Sequence, residues 1–146
     1  MTKIEHPLGR MLSLAGKGYL HLLRMKLQHL DIDRNYYALV LIESRNGLIT
    51  QQELAILLDS DKVSVVRVVD YLSEKGYVNR MQKADDLRKH CLLLTEKAKL
   101  ALPEIKKSII EINEVVLNGL AASQIINFTD TITKIKKNIT ENTQSL

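Results

Sequence analysis

Residues 50–95 read TQQELAILLDSDKVSVVRVVDYLSEKGYVNRMQKADDLRKHCLLLT, and this stretch decides the fold. Thr50 and Glu53 stand three apart ahead of an apolar run. In that T-x-x-E spacing each side chain satisfies the other residue's free backbone donor, which opens a helix. Leu54, Ala55, Leu57 and Leu58 supply its inward face. Asp59-Ser60-Asp61 predicts a turn. A second helix follows from about Lys62 to Lys75, with Gly76 as its stop and Val65, Val68, Val69 and Leu72 inward. The valines between Val63 and Val69 compete as a strand signal. The caps, the glycine stop and the helical spacing of Arg67 and Asp70 overrule it. Tyr77 to Gln82 and Lys89 to Leu94 read as short strands around a charged tip, Lys83 to Arg88. Helix, turn, helix and hairpin in that order make a winged helix-turn-helix, whose main physical use is to lay one helix in the major groove of DNA.

Outward from this lobe the chain is helical. Leu8, Leu12, Ala15, Tyr19 and Leu22 make one apolar face of a first helix from about Pro7 to Leu30. Asp33 is read as the cap of a second helix, about Arg34 to Ser44, with Tyr37, Leu41 and Ala38 inward and Asn46-Gly47 as its stop. After Thr95-Glu96, a long helix carries Leu102, Ile105, Ile109, Ile112 and Val116 at alternating steps of three and four. Gly119 breaks it, and Ser123 opens a last helix with Ile125, Phe128, Ile132, Ile135 and Ile139. The predicted fold is mainly α with a small β-hairpin wing, in a single domain over residues 1–146. Its winged-helix DNA-binding lobe spans about 34–94. Helices at about 4–30 and 96–140 have more apolar surface than that lobe needs, and a second copy of the chain is the simplest cover. A homodimer would set two recognition helices about one DNA turn apart, ~34 Å, to read a palindrome.

Composition narrows the function classes. A hydrophobic fraction of 45% in 146 residues supports a packed core. The single cysteine, Cys91, excludes an internal disulfide framework, and the first residues lack the apolar core of a secretory signal. A cytoplasmic protein without a membrane span is expected. Net charge is +4, yet residues 50–96 hold seven Lys/Arg against eight Asp/Glu. Any basic surface in this lobe must come from sorting charges onto faces. No Gly-rich phosphate loop, nucleophile elbow or H-E-x-x-H pattern is present, so no enzyme is expected. Neither a cofactor nor a metal is expected: four scattered histidines and one cysteine lack ligand spacing. Cys91 reads as a buried structural residue.

The outward face of the second lobe helix presents Lys62, Val63, Ser64, Val66 and Arg67. Arg67 can pair with a guanine edge or a phosphate, and Lys62 suits a phosphate. Ser64 can donate to either partner or satisfy local backbone. Val63 and Val66, taken as exposed, suit thymine methyls. Gln51 and Gln52 can donate to the DNA backbone from the start of the preceding helix. Lys83 and Lys89 flank the tip and suit phosphates. Arg80 is open between a backbone contact and a plain strand charge.

These words resemble the MarR-type (multiple antibiotic resistance) winged-helix transcription regulators. TQQELA, DKVSVVRVVDYLSEKGYVNR, DDLR and LLLTEKAKLALPEI carry the likeness, and LGRMLSLAGKGYLHLL is similar to the family's first helix. Two departures stand out: Ala98 lies where the family often has Gly, and Val66 where it often has Thr. The resemblance implies a homodimeric regulator of transcription, usually a repressor, often released by a small ligand. It assigns Asp86 and Arg88 to the D-x-R of the wing, where Arg88 enters a minor groove and Asp86 directs its guanidinium. It implies a ligand pocket, for which Met11, Tyr19, His21, Met25, Tyr36 and Tyr37 are the available liners from the first two helices. The alternative from another class is a winged-helix protein–protein interaction module.

Overall fold

A computed structural model describes residues 3–82 and 90–144. The chain forms two compact units, residues 1–112 and 113–146.

The first unit is built around the lobe. Its helices are α1 (Leu8–Lys26), α2 (Tyr36–Ser44), α3 (Gln51–Leu57), α4 (Lys62–Glu74) and most of α5 (Glu96–Val116). Strands β1 (Ile49–Thr50), β2 (Val78–Gln82) and β3 (His90–Leu94) form an antiparallel sheet in the order β1-β3-β2. Val78 faces Leu94 and Gln82 faces His90 across the hairpin, while Ile49 faces Leu92. The mainly helical, winged architecture read from the sequence is therefore the fold.

Local chemistry explains the lobe's boundaries. Thr50 Oγ1 accepts from the Glu53 amide at 3.2 Å, and Glu53 Oε2 accepts from the Thr50 amide at 2.8 Å. Asp61 caps α4 by accepting from the Ser64 amide at 2.7 Å. At the far end of α4, Gly76 adopts φ +80°, which an L side chain resists. The Tyr77 amide then reaches Leu72 O at 2.8 Å and the Gly76 amide reaches Ser73 O at 3.0 Å. This is a Schellman stop, and buried Leu72 and Tyr77 supply its apolar contact.

The core joins Leu23 and Leu27 with Leu39, Ile42, Leu54, Val65, Val69, Leu72, Val78, Leu92, Leu102 and Ile105. Leu57 of α3 is exposed instead of inward, and three further expectations need correction here. The first helix stops at Lys26 instead of Leu30, because the chain turns to bury Leu27 and Ile32. Asp33 does not cap α2: it sits at φ +50° and pairs with Arg24 at 3.1 Å, and Asn35 precedes the helix without a side-chain cap bond. Tyr37 faces outward, since α2 buries Ala38, Leu39 and Ile42. Strand β1 is an addition that the sequence reading lacked.

Much of α1 remains uncovered: Leu8, Ala15 and Leu22 are exposed, and only Leu23 of the helix is buried. In the second unit, α6 (Ala122–Thr143) starts one residue before Ser123, with the Ala121 amide donating to Gln124 Oε1 at 2.8 Å. None of its residues is buried, and Phe128 is 56% exposed. Among the described residues, no helix is long and apolar enough to cross a membrane.

Candidate nucleic-acid interface

Helix α4 divides cleanly into two faces. Val65, Val69 and Leu72 are sealed in the core, with Val68 packed against it. Lys62, Val63 and Arg67 are exposed on the other side, with Val63 at 63%. Val66 is half-buried instead of exposed. It lies about 100° around the helix from Val65, on the flank between the faces.

The start of α4 carries its own charge balance. Ser64 Oγ donates to Asp61 Oδ2 at 2.6 Å, so the hydroxyl proposed for DNA is engaged locally in this state. The Ser64 hydroxyl, and after it the Ser64 amide, holds the Asp61 carboxyl below its ordinary range. Asp61 is thus anionic at neutral pH beside the Lys62 cation. Cation and anion adjoin at this helix end.

Gln51 and Gln52 occupy the first two positions of α3. Gln51 Oε1 accepts from Arg80 Nη2 at 3.2 Å and from Arg80 Nε at 3.3 Å. The same Nη2 pairs with Asp70 of α4 at 2.6 Å. Arg80 therefore bridges β2, α3 and α4. No local spacing pointed to this bridge, because 29 positions separate Arg80 from Gln51. The wing residues Lys83, Asp86, Arg88 and Lys89 lie outside the described residues.

A second bridge stands behind α4. Tyr77 is 1% exposed, and its hydroxyl donates to Asp31 Oδ1 at 2.8 Å. Lys97 Nζ donates to Asp31 Oδ1 at 3.2 Å and to the Lys75 carbonyl at 2.8 Å, and lies 4.4 Å from the Tyr77 ring centroid. The Tyr71 hydroxyl reaches the Asp31 carbonyl at 3.0 Å, and Thr95 Oγ1 donates to the Gly76 carbonyl at 2.6 Å. The turn after α1, the end of α4 and the start of α5 are tied at one point. Lys97 is the first lysine of the LLLTEKAKLALPEI stretch, so that stretch has a structural role here.

The junction predicts a pH dependence of stability. Burial, then the bond to Asp31, pushes the Tyr77 phenol up to about 12 from an ordinary 10.0. The fold favours the neutral phenol, so this stabilisation is complete below pH 10.0 and is lost as pH rises towards about 12. The Tyr77 bond, aided by Lys97, holds Asp31 below its ordinary 3.8. That contribution is present above pH 3.8 and fades as pH falls through the lowered folded value. The urea midpoint should fall at both extremes, and Tyr77→Phe should flatten the alkaline fall. An unaltered alkaline arm in that variant would discard the assignment to Tyr77.

The residues offered for a ligand pocket do not converge. His21 and Met25 line an open cleft of about 400 Å³ with Arg24, Gln28 and Asp33. Met11 and Tyr37 are exposed elsewhere, whereas Tyr19 and Tyr36 pack against the core. Burial raises the Tyr36 phenol above its ordinary value, helped by Tyr19 and Tyr37. Cys91 is half-buried on β3, not fully buried as read from the sequence. Its backbone lies between Thr50 and Met81 in the central strand. Among the described residues, no group of three His, Cys, Asp or Glu could hold a metal ion.

A helix-turn-helix with a three-stranded wing sheet defines the class: this is a winged-helix protein. Residues 34–90 match the model of the MarR family. The mainly helical, winged fold is similar to that of solved MarR and SlyA structures. A crystal structure of the transcriptional regulator SlyA is 25% identical, with a TM-score of 0.86, covering 94% of this chain and 96% of that one. A MarR transcriptional regulator from Methanosarcina mazei Go1 is 24% identical, with a TM-score of 0.79, covering 92% of this chain and 96% of that one. A mutant MarR from E. coli complexed with operator DNA is 24% identical, with a TM-score of 0.81, covering 88% of this chain and 93% of that one.

Proposed function

We propose that the chain is a sequence-specific double-stranded DNA-binding transcription regulator, a homodimeric repressor that reads a palindromic operator. The observation that carries the reading is the outward face of α4. Val63 stands exposed between the cations Lys62 and Arg67, so one face presents methyl groups beside two positive charges. A methyl-bearing base edge beside a guanine or phosphate matches that pattern. Lys62, Ser64, Val66, Gln51 and Gln52 complete the proposed surface, with Lys83, Asp86, Arg88 and Lys89 from the wing. The likeness to a regulator complexed with operator DNA supports it. The uncovered apolar faces of α1 and α6 support the dimer. Release by a small ligand is part of the proposal, with the His21–Met25 cleft as its site.

Selection of genomic fragments, followed by a salt titration on the recovered DNA, tests this. Affinity should fall steeply with salt, in proportion to the phosphates neutralised. Arg67→Ala should cut the preference for the recovered fragment over a scrambled one by about 10- to 100-fold, the equivalent of ~1–3 kcal/mol at one base contact. The even charge balance of residues 50–96 favours a second reading, a protein-interaction module. Recovery of no preferred fragment would leave that reading standing and remove the first.

A further inference from the structure

The Arg80 bridge has a consequence for how the DNA-binding surface is built. An exposed cation beside a recognition helix is ordinarily counted as a phosphate ligand. Arg80 has other partners. Its backbone pairs with Leu92 in the sheet, so the root of the side chain is fixed. Its Nη2 holds Asp70 at 2.6 Å, and Nη2 and Nε together hold Gln51 Oε1. The Arg80 side chain is 29% exposed, against 59% for Asp70. The cation is the more enclosed member of the pair, and the anion lies towards solvent.

The two partners also stand at informative places. Asp70 follows Arg67 by three residues and Val66 by four, so it continues their side of α4 by one turn. Gln51 is the first residue of α3. With its Oε1 held by Arg80, its amide NH2 is the group left to donate to a DNA backbone. One guanidinium thus spans the two helices whose outward residues must meet a duplex together.

We infer that Arg80 is a positioning residue of the DNA-binding surface and not a phosphate ligand. It fixes α4, through Asp70, and the amide of Gln51 in one register on the frame of β2. This inference rests on the DNA-binding reading above. The planar fork matters, because a lysine ammonium would keep the charge without donating from Nε and Nη2 to one oxygen while pairing with Asp70. Nε and Nη2 are committed to Gln51 and Asp70, so a phosphate could meet the guanidinium only at Nη1 unless it displaced a charge-assisted bond.

Charge alone and positioning predict opposite effects at Asp70. Asp70 is an anion on a surface that meets a polyanion, so its removal should strengthen binding if charge alone mattered. Positioning requires the opposite. Asp70→Asn and Arg80→Ala should each weaken binding to the fragment recovered with the unmodified protein by about tenfold, with the double variant little worse than either single one. The slope of log affinity against log salt should stay as in the unmodified protein. Arg80→Lys should behave like Arg80→Ala.

The opposing results are equally definite. A salt slope reduced by about 0.9 in Arg80→Ala, with tighter binding by Asp70→Asn, makes Arg80 a phosphate ligand and overturns the inference. Full rescue by Arg80→Lys overturns it by showing that charge suffices. A lowered unfolding temperature with unaltered affinity of the folded protein overturns it in favour of a purely structural bridge. Absence of selective binding by the unmodified protein overturns the DNA reading itself, and this inference with it. Selective binding that Arg67→Ala weakens and Arg80→Ala leaves unaltered overturns the inference alone.

Discussion

Phe128→Glu should convert a dimer into monomers without harming the fold of the single chain. Phe128 lies on α6, the helix with no buried residue, and is 56% exposed. A glutamate there keeps most of its hydration in an isolated chain, so the fold loses little. In the proposed dimer the same position is covered by apolar surface. An unpaired buried charge costs about 3–5 kcal/mol, and twofold symmetry places one such charge on each protomer. The dissociation constant should rise by at least a hundredfold. Ile132→Glu, on the same apolar stripe, should act in the same direction. Operator binding should fall in parallel, on the order of a hundredfold, because the second half-site is no longer bound at high effective concentration. Light scattering at micromolar concentration reads the first effect, and titration of the recovered fragment reads the second. Phe128→Glu remaining dimeric would remove α6 from the interface. A monomeric unmodified protein would end the dimer proposal.

The parts of this protein that the sequence predicts are those written by neighbours in the chain. Thr50 and Glu53 are three residues apart, and their reciprocal bonds were readable from spacing alone. The same holds for Asp61 at the head of α4 and Gly76 at its end. The strand β1 escaped for a physical reason: it is two residues long, and Thr50 serves both as a ladder residue and as the cap of α3. Asp33 misled because an aspartate before a helix has two uses, and Arg24 on the preceding helix took its carboxylate. Tyr37 misled because α2 is apolar almost throughout, so its inward face is set by what it packs against.

The site divides in the same way. The outward placement of Lys62, Val63 and Arg67 followed from helical period once the inward valines were chosen. Val66 did not, since a residue on the flank of a helix is exposed or covered according to its neighbours. The bridges centred on Arg80 and Asp31 were invisible. Their partners lie 10 to 66 positions apart, and only the sheet and the turn after α1 bring them together. A charged residue in a short strand was the available signal at Arg80, and that signal suits a solvent charge equally well.

The two faces of α4 also predict two separable kinds of failure, and the larger in stability lies at Leu72. Leu72 is 0% exposed and packs in the core, and its carbonyl accepts the Tyr77 amide that closes the helix. Leu72→Ala removes buried methyl groups and leaves a cavity at that closure. Substitutions of this kind cost about 2–5 kcal/mol, a large share of the ~5–15 kcal/mol that holds a domain folded. The unfolding temperature should drop by on the order of 10 °C, and the urea midpoint with it. The outward face is untouched, so the folded protein should keep its affinity for the recovered fragment within about twofold, a ΔΔG below ~0.5 kcal/mol. Arg67→Ala should do the reverse, because an exposed side chain outside the core changes stability by no more than ~0.5 kcal/mol. Thermal unfolding and DNA titration of both variants form the comparison. If Leu72→Ala weakens specific binding of the folded protein as much as Arg67→Ala does, core packing sets the outward geometry of α4. The recognition helix could not then be treated as a rigid body carrying independent contacts.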